Sequence, residues 1–348
     1  MSETVGRRVG VVGTGYWGSK HVRTLSSLAE VDQVCVVDPR ADRTGSLLRT
    51  YPAVKCFASL EEAMDEVDAV VIATPPSTHA PLALSAIAAG KHVMVEKPLA
   101  TSVRDAAAIV DAAEQAGVVA MVGHTFEYHA AVWALRDIVT RGDFGDLYYL
   151  DTARLNMGLY QHDANVVWDL APHDISITSY LLDELPVATS VWAQRNVGPW
   201  QEDVAYLKLD FPTTHAFVHV SWLNPRKVRR TTVVGERRMA VYDDMSDNER
   251  IRIYDIGVDP AEIDNPHMAH EMPVSYRTGD IISPYVPFQE PLIVQDRAFI
   301  DSIRHGVPPA TPGERGLDVV RVLAATDVAL ATGRTAPVEF PSYQRTTS

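Results

Sequence analysis

From the start of the chain to about Gly123, short apolar runs alternate with amphipathic segments. The runs are rich in β-branched residues, which is typical of strands buried on both faces of a sheet. The predicted strands are those at 8–12, 34–37, 54–57, 69–73, 92–95 and 118–122. Between them, helical spacing of apolar residues predicts helices at 41–50, 60–64, 80–89 and 103–116. Strands and helices in alternation predict a parallel, doubly wound sheet.

Beyond Leu147 the pattern changes, because strand-like stretches follow one another with few helices between them. These stretches lie at 147–155, 187–194, 204–211, 216–222, 230–234 and 250–254. Strands in succession predict a large, mostly antiparallel sheet with one open face. Helices are predicted to begin at Asp169 and to span 291–305 and 314–332. We therefore predict an α/β protein with a dinucleotide-binding domain at 1–123 and an α+β substrate-binding and oligomerisation domain at 124–348.

The first predicted strand runs directly into Gly13-Thr14-Gly15-Tyr16-Trp17-Gly18, where a helical pattern begins. The next apolar run ends in Asp38, 20 residues after the last glycine (38 − 18 = 20). Strand, glycine turn, helix and acid at this distance are typical of the dinucleotide-binding fingerprint of a Rossmann domain. In it, Gly13 allows the tight turn, Gly15 lets the pyrophosphate approach the backbone, and Gly18 lets the helix pack on the sheet. A glycine-rich structural turn is the alternative.

Asp38 favours NAD over NADP, because its carboxylate would accept hydrogen bonds from ribose hydroxyls and repel a 2′-phosphate. Arg40 lies two residues further on, and an arginine there can accommodate that phosphate. NADP is therefore the less favoured alternative.

Two other predicted strand ends carry candidate contacts, since ligands bind at the carboxyl ends of strands in open α/β sheets. Thr74 and Pro75 follow one strand, and Glu96-Lys97-Pro98 follows the next. Lys97 can hydrogen-bond a ribose and a substrate hydroxyl together, and its charge favours a developing alkoxide. A surface lysine after a strand is the alternative interpretation.

Asp169 and His173 are four residues apart near a predicted helix start, which places their side chains on one face. A histidine with a usual pKa of about 6.5 can take a hydroxyl proton at neutral pH, and a carboxylate can orient its ring. Asp169 can also act as the helix N-cap, a role compatible with catalysis. The neighbouring Asp174 points elsewhere and is interpreted as structural.

A looser group of hydrogen-bonding residues lies near predicted loop or strand ends, and each of them has a structural alternative. They are His124, Tyr128, Arg154, Asn156, Asn165 and Tyr285. Apart from Asn165, they are predicted to bind substrate, together with Lys97, Asp169 and His173. No group of His, Cys, Asp and Glu has metal-ligand spacing, so no metal is predicted.

The net charge of −14 over 348 residues argues against a nucleic-acid partner, which requires a basic face. The basic cluster at 226–230 is interpreted as a solvated sheet edge or subunit contact rather than a binding patch. Both cysteines lie in predicted strands and are interpreted as small core residues of a protein in a reducing compartment. Neither a membrane-spanning run nor a signal peptide is evident, so a cytoplasmic location is predicted.

Together, Gly13-x-Gly15-x-x-Gly18, Ala73-Thr74-Pro75-Pro76, Glu96-Lys97-Pro98 and Asp169-x-x-x-His173 resemble the glucose–fructose oxidoreductase/inositol dehydrogenase family. The resemblance spans nearly the whole chain and includes Glu290-Pro291-Leu292. It implies that Lys97 contacts nicotinamide ribose and substrate, that His173 and Asp169 are the acid–base pair, and that the bond to Pro98 is cis in some relatives. Gln295 departs from the pattern, because many relatives carry a glutamate there.

Segments 123–128 and 154–158 resemble a subgroup that acts on ring hydroxyls of nucleotide sugars and polyols, including cyclitols of aminoglycoside-antibiotic pathways. We therefore predict an NAD-dependent dehydrogenase that interconverts a secondary ring alcohol and a ketone of a sugar, nucleotide sugar or cyclitol. An NADPH-dependent ketone or imine reductase and a non-catalytic NAD-binding regulatory module are the alternatives. The open sheet predicts a homodimer or homotetramer, since an exposed apolar face is normally covered.

Overall fold

The computed structural model describes residues 8–158, 160, 164–260 and 274–340. Contacts within the chain group these residues into two compact units. The first contains the chain up to His129, together with Gln289–Ala324 and Phe340, and the second contains Ala130–Phe288 and Ala325–Glu339. The predicted division at 123/124 differs from this grouping, mainly because 289–324 returns to the first unit.

Six parallel strands form the sheet of the first unit. They are β1 (Arg8–Val12), β2 (Gln33–Val37), β3 (Lys55–Phe57), β4 (Ala69–Ile72), β5 (His92–Glu96) and β6 (Ala120–Gly123). Their order is β3-β2-β1-β4-β5-β6, so the topology switches direction between β1 and β4. This order is that of a doubly wound dinucleotide-binding sheet. The predicted parallel sheet is confirmed.

Helices connect these strands. They are α1 (Tyr16–Ser27), α2 (Ala41–Thr50), α3 (Leu60–Ala63), α4 (His79–Ala88) and α5 (Val103–Ala116), with short 3₁₀ turns at Met64–Glu66, Pro76–Thr78 and Thr125–Tyr128. A late helix, α8 in chain order (Pro291–His305), packs beside α1. Its Phe299 and Ile300 are fully buried in one apolar cluster with Val9 and Val22. The sheet face under α1 is therefore completed by a helix made near the end of the chain.

The second unit contains a nine-stranded sheet and a separate two-stranded ribbon. Its strands are β7 (Leu147–Met157), β8 (Ala188–Gln194), β9 (Val204–Asp210), β10 (His215–Ser221), β11 (Leu223–Gly235), β12 (Met239–Asp243), β13 (Ile251–Tyr254), β14 (Gly257–Pro260), β15 (Val274–Arg277), β16 (Ile281–Ile282) and β17 (Ala336–Pro337). The order of the large sheet is β16-β13-β12-β11-β7-β10-β9-β8-β17. All its neighbours are antiparallel except β7 and β10. The predicted mostly antiparallel sheet is confirmed.

Two helices of this unit differ from the sequence-based expectation. Helix α6 (Ala130–Thr140) was not predicted, and α7 (Val166–Leu182) begins before Asp169. Asn165 caps α7, because its side-chain oxygen accepts the backbone N–H groups of Val167 and Trp168. Asp169 therefore lies inside the helix and is not its N-cap. The last helix, α9 (Gly313–Thr332), contributes residues to both units.

One face of the large sheet packs on α7, and the other carries exposed aromatic side chains. Trp192, Tyr206 and His219 are directly opposite one another on β8, β9 and β10. Tyr206 stacks on the His219 ring with centroids 3.9 Å apart, and Tyr149 meets Phe217 edge-on at 6.2 Å. Trp192, Tyr206, Phe217 and Tyr149 are each at least 40% exposed. Within the described ranges, no helix is long and apolar enough to span a membrane.

Candidate functional site

The glycine turn joins β1 to α1 and shows a different constraint at each glycine. Gly13 has a φ of +89°, and a Cβ there would lie 2.8 Å from the Ala73 carbonyl oxygen. A Cβ at Gly18 would lie 1.8 Å from the Gly13 carbonyl oxygen, which explains why the helix needs a glycine at this close approach. At Gly15 the nearest atom is Arg43 Nη1, 4.0 Å away. The space before Gly15 is therefore open, as a pyrophosphate cradle requires.

The helix that follows offers its first backbone N–H groups to this space, because Gly15 is its N-cap and brings no capping side chain. An uncapped N-terminus with its partial positive charge is suited to a phosphate. Tyr16 is 72% exposed beside it and meets Trp17 edge-on with ring centroids 5.4 Å apart.

Asp38 ends β2 and is already hydrogen-bonded on both oxygens. Oδ2 accepts the backbone N–H of Thr14 at 2.9 Å and its hydroxyl at 2.6 Å. Oδ1 accepts the Arg40 backbone N–H at 3.0 Å and its Nε–H at 3.3 Å. Burial opposes ionisation of Asp38, but the hydrogen bonds from Thr14 and Arg40 outweigh it and lower the pKa to about 2. Asp38 is therefore an ionised residue next to the glycine turn.

The neighbouring strand ends place the other predicted residues of this unit at the same edge of the sheet. Half-buried Thr74 and exposed Pro75 follow β4, half-buried Lys97 follows β5, and His124 follows β6. The Lys97–Pro98 bond is cis. Since β1, β4, β5 and β6 are adjacent and parallel, their carboxyl ends form one continuous rim.

His124 is buried on this rim, and within the described residues its two ring nitrogens have no hydrogen-bond partner. Burial, with the nearby charges of Arg315 and Lys97, lowers its pKa to about 3, so the ring is neutral. Tyr128 is also buried, and its hydroxyl contacts the Thr311 hydroxyl at 3.0 Å. The structure brings Lys97 and His124 to the rim but packs Tyr128 into the interior of the unit.

Two buried histidines that the sequence patterns did not single out flank the Glu96-Lys97-Pro98 turn. His79 lies between two backbone carbonyls, with Nδ1 2.8 Å from Pro98 O and Nε2 2.9 Å from Thr74 O. His21 contacts the Glu96 carboxylate from α1. In the sequence, His21 falls within a helical pattern and His79 directly precedes a predicted helix, and neither position by itself indicates a functional histidine.

In the second unit, Asp169 and His173 are one turn apart on α7, as predicted. The indole Nε1–H of Trp222, whose ring is fully buried, donates to Asp169 Oδ2 at 3.0 Å. His173 is 9% exposed. Trp222 was not predicted as a site residue, and its position directly after β10 gave no signal beyond an apolar strand pattern.

Other predicted residues of this unit have different environments. The Arg154 guanidinium pairs with buried Asp174, with Nε 2.7 Å from Oδ2. Burial of Asp174 raises its pKa despite the Arg154 charge. Asn156 Oδ1 is buried and has no hydrogen-bond partner in the described part of the chain. Tyr285 is 89% exposed, so the structure does not gather it with the others.

The residues of the first unit fit a dinucleotide, because a close-packed glycine turn leaves open space only at Gly15 and faces it with a free helix N-terminus. Asp38 and Thr74 stand on either side of this turn. Among the described residues, no three His, Cys, Asp or Glu side chains are grouped as a metal site would need.

Comparison with known families gives two adjoining matches. Residues 7–124 match the model described as an oxidoreductase family with an NAD-binding Rossmann fold. Residues 132–241 match the GFO/IDH/MocA C-terminal domain. The two models cover the glycine turn, Lys97, Asp169 and His173.

Individual relatives have diverse activities. The chain is 27% identical over 334 residues to a 4-carboxy-2-hydroxymuconate-6-semialdehyde dehydrogenase of a Sphingobium species, covering 93% of this chain and 98% of that protein. It is 34% identical over 200 residues to inositol 2-dehydrogenase 3 of Saccharopolyspora erythraea, covering 55% of this chain and 58% of that protein. A solved enzyme of gentamicin A biosynthesis in complex with NAD has a TM-score of 0.80 at 24% identity, covering 97% and 98% of the two chains. At that identity the likeness shows the shared fold.

Proposed function

The chain belongs to the GFO/IDH/MocA oxidoreductase family, and from this premise we propose that it uses NAD to interconvert a secondary ring alcohol and a ketone. The proposed substrates are sugars, nucleotide sugars or cyclitols, including cyclitols of aminoglycoside-antibiotic pathways. The observation that carries the proposal is the rim of the first sheet, where the glycine turn, Asp38, Thr74 and Lys97 follow adjacent parallel strands. The inositol dehydrogenase relative supports the cyclitol class.

In the proposed site, the first unit holds the cofactor. The open space at Gly15 and the N-terminus of α1 would take the pyrophosphate, and Asp38 would take the adenosine ribose. Glu96, Thr74 and Pro75 would line the nicotinamide half, and Lys97 would hydrogen-bond its ribose. Bound NAD supplies a hydride acceptor for the alcohol carbon.

The side chains proposed for catalysis manage one proton and one developing charge. His173 removes the hydroxyl proton, and Asp169 keeps the imidazole in the orientation that this transfer needs. The ammonium group of Lys97 stabilises the substrate oxygen as negative charge develops on it. Trp222 fixes the Asp169 carboxylate through its N–H. Asn156 and His124, with buried polar atoms that lack partners within the described chain, are the proposed substrate-binding residues that the geometry supports best.

A second candidate is NADP dependence. It is retained because the acceptor positions of the Asp38 carboxylate are already occupied by hydrogen bonds from within the chain. Thr14 and Arg40 donate four hydrogen bonds to this carboxylate, which has about four acceptor positions. The Arg40 side chain is 53% exposed, so its guanidinium is accessible to a 2′-phosphate. Calorimetric titration with ADP-ribose and with 2′-phospho-ADP-ribose distinguishes the two cofactors. The NAD proposal expects the unphosphorylated ligand to bind more tightly.

We also propose that the protein is a cytoplasmic homodimer or homotetramer that pairs through the aromatic face of its large sheet. The exposed rings of Trp192, Tyr206 and Phe217 support this, because large apolar patches on a sheet are normally covered. Light scattering of the wild type and of Trp192→Glu would test it, and an unchanged mass in the variant would contradict it.

The central experiment measures nicotinamide reduction against inositols, aminocyclitols, free sugars and nucleotide sugars, and the reverse reaction against the matching ketones. We expect turnover with at least one ring alcohol, and a loss of roughly a hundredfold or more in kcat for His173→Ala with cofactor affinity unchanged. His305→Ala, at the exposed end of α8, is the matched control. Tight NAD binding without turnover of any polyol would instead support the non-catalytic module.

A further inference from the structure

Three ionisable side chains of the first unit form a buried cluster, and two of them, His21 and Asp296, have no part in the proposed site. His21 lies on α1, Glu96 ends β5, and Asp296 lies on α8. His21 and Asp296 have no exposed surface, and Glu96 is 6% exposed. His21 Nδ1 is 2.9 Å from Asp296 Oδ1, and His21 Nε2 is 3.0 Å from Glu96 Oε1. The hydroxyl of Thr24 donates to the other oxygen of Asp296.

The Glu96 carboxylate connects this cluster to the turn that carries Lys97. One oxygen faces His21, and the other accepts the backbone N–H of Lys97 at 3.2 Å. The space around the carboxylate is closed, because a Cβ at Gly123 on the next strand would lie 3.1 Å from Glu96 Oε1. The Glu96 carboxylate is therefore held between His21 and the Lys97 backbone, with Gly123 packed against it.

We propose that His21 and Asp296 are positioning residues that orient Glu96 and thereby fix the backbone from which the Lys97 ammonium extends. The proposal rests on the proposed function, in which Lys97 contacts the substrate oxygen. Asp296 orients the imidazole by binding Nδ1, and this directs Nε2 at Glu96, as a carboxylate partner does for other functional histidines.

The charges of the cluster favour this role. Both ring nitrogens of His21 face carboxylate oxygens, which only accept hydrogen bonds, so the protonated ring satisfies both contacts. Burial alone would lower the pKa of His21, but Asp296 and Glu96 outweigh it and raise the pKa to about 10. A buried imidazolium between two carboxylates is a strongly oriented arrangement, because each hydrogen bond is charge-assisted.

The other flank of the turn has its own anchor, since His79 contacts the Pro98 carbonyl oxygen. Lys97 thus lies between a residue held by His21 and a residue held by His79. Asp296 also bears on the departure at Gln295. The carboxylate that reaches His21 comes from the next position, while Gln295 Nε2 faces Met94 Sδ at 3.7 Å.

The test compares His21→Gln with His92→Gln. Glutamine at position 21 retains a hydrogen-bonding group but loses the charge and the second contact. His92 is the matched control, because it is the first residue of β5, the strand that ends at Glu96, and its ring accepts the Val119 N–H at 2.9 Å. We expect kcat to fall by about 10- to 100-fold in His21→Gln, with cofactor affinity and KM within about threefold of wild type. In His92→Gln we expect kcat to be unchanged.

A second readout does not depend on turnover. The chain has six lysines, so reductive ¹³C-dimethylation gives few NMR resonances, and Lys97→Ala assigns the one of interest. We expect this resonance to shift in His21→Gln and in the milder Asp296→Asn, and to stay at its wild-type position in His92→Gln. The Asp296 variant keeps the test decisive if His21→Gln does not fold.

The proposal is overturned if the Lys97 resonance and kcat of Asp296→Asn match wild type while thermal stability falls, because the cluster would then serve only the fold. Failure of the proposed function has a different signature. If Lys97→Ala retains wild-type turnover, the role of the lysine is wrong, whereas the resonance shift still reports whether His21 and Asp296 position it.

Discussion

Alanine substitutions at Gly15 and Gly18 should separate cofactor binding from folding. At Gly15 the backbone has φ −68° and ψ −160°, a conformation open to L residues, and the nearest atom to a new Cβ is 4.0 Å away. Replacing glycine by alanine at such a site raises stability by about 0.4–1 kcal/mol through the unfolded chain. We therefore expect Gly15→Ala to unfold at or slightly above the wild-type temperature.

The same methyl group would stand where the pyrophosphate approaches the backbone. A hydrogen bond to a charged group contributes about 1.5–3 kcal/mol. Losing one such bond corresponds to about 10- to 150-fold weaker binding, since each 1.4 kcal/mol is about tenfold. Calorimetric titration with NAD and with ADP-ribose should show this loss for both ligands.

Gly18→Ala should have the opposite profile, because its Cβ would lie 1.8 Å from the Gly13 carbonyl oxygen and 2.8 Å from its carbon. These are backbone atoms, so the turn itself must open. We expect the free energy of unfolding to fall by roughly 3 kcal/mol or more, which is above the usual cost of overpacking. The unfolding temperature without cofactor should fall by about 6–12 °C. Gly117→Ala, a positive-φ glycine with open space around it, controls for lost stability with unchanged affinity. Wild-type NAD affinity in Gly15→Ala would refute the pyrophosphate cradle.

Three further predictions follow from single contacts. Asp38→Ala should weaken binding of ADP-ribose and reduce discrimination against 2′-phospho-ADP-ribose. If calorimetry shows the same preference between these two ligands as in the wild type, the NAD assignment is contradicted. Trp222→Phe removes the N–H that Asp169 accepts, so urea unfolding should show a loss of about 1.5–3 kcal/mol and turnover should fall; wild-type turnover would remove Trp222 from the site. The raised pKa of His21 means that its stabilisation is complete below pH 6.5 and is lost as pH rises towards about 10. Across that window, the free energy of unfolding of the wild type should fall by up to about 1.4 kcal/mol per pH unit more than that of His21→Gln. The same pH dependence in both proteins, measured by urea unfolding, would contradict the charged ring.

The glycine turn and its flanking strands could be predicted because their signals are local. Apolar runs, three glycines and Asp38 all fall within one strand–helix–strand unit, and parallel strands bring their carboxyl ends to one edge. Helix α6 was missed although Ala131, Leu135 and Val139 follow a helical spacing and are buried. The start of α7 was placed at Asp169, because Asn165 and Asp169 are both good capping residues and only the structure shows which one accepts the N–H groups.

Features that depend on distant residues could not be predicted. His21 and Asp296 are 275 positions apart, and a polar residue on the buried face of an amphipathic helix does not indicate its partner. The parallel pairing of β7 with β10 is likewise decided by the packing of the whole sheet, whereas strands in succession predict antiparallel neighbours. The ion pair of Arg154 with Asp174 joins a strand to a helix, so Arg154 gave the same signal in sequence as a substrate-binding arginine.

The return of α8 to the first sheet has a consequence for biosynthesis. The ribosome completes His129 long before it reaches Pro291, an interval of 162 residues (291 − 129 = 162). At about 5–20 residues per second, roughly 8–32 s pass before synthesis of α8, which carries the buried Phe299 and Ile300, begins. During that interval an apolar surface beside α1 is available to chaperones, and the nucleotide-binding half reaches its final form only after α8 has been translated.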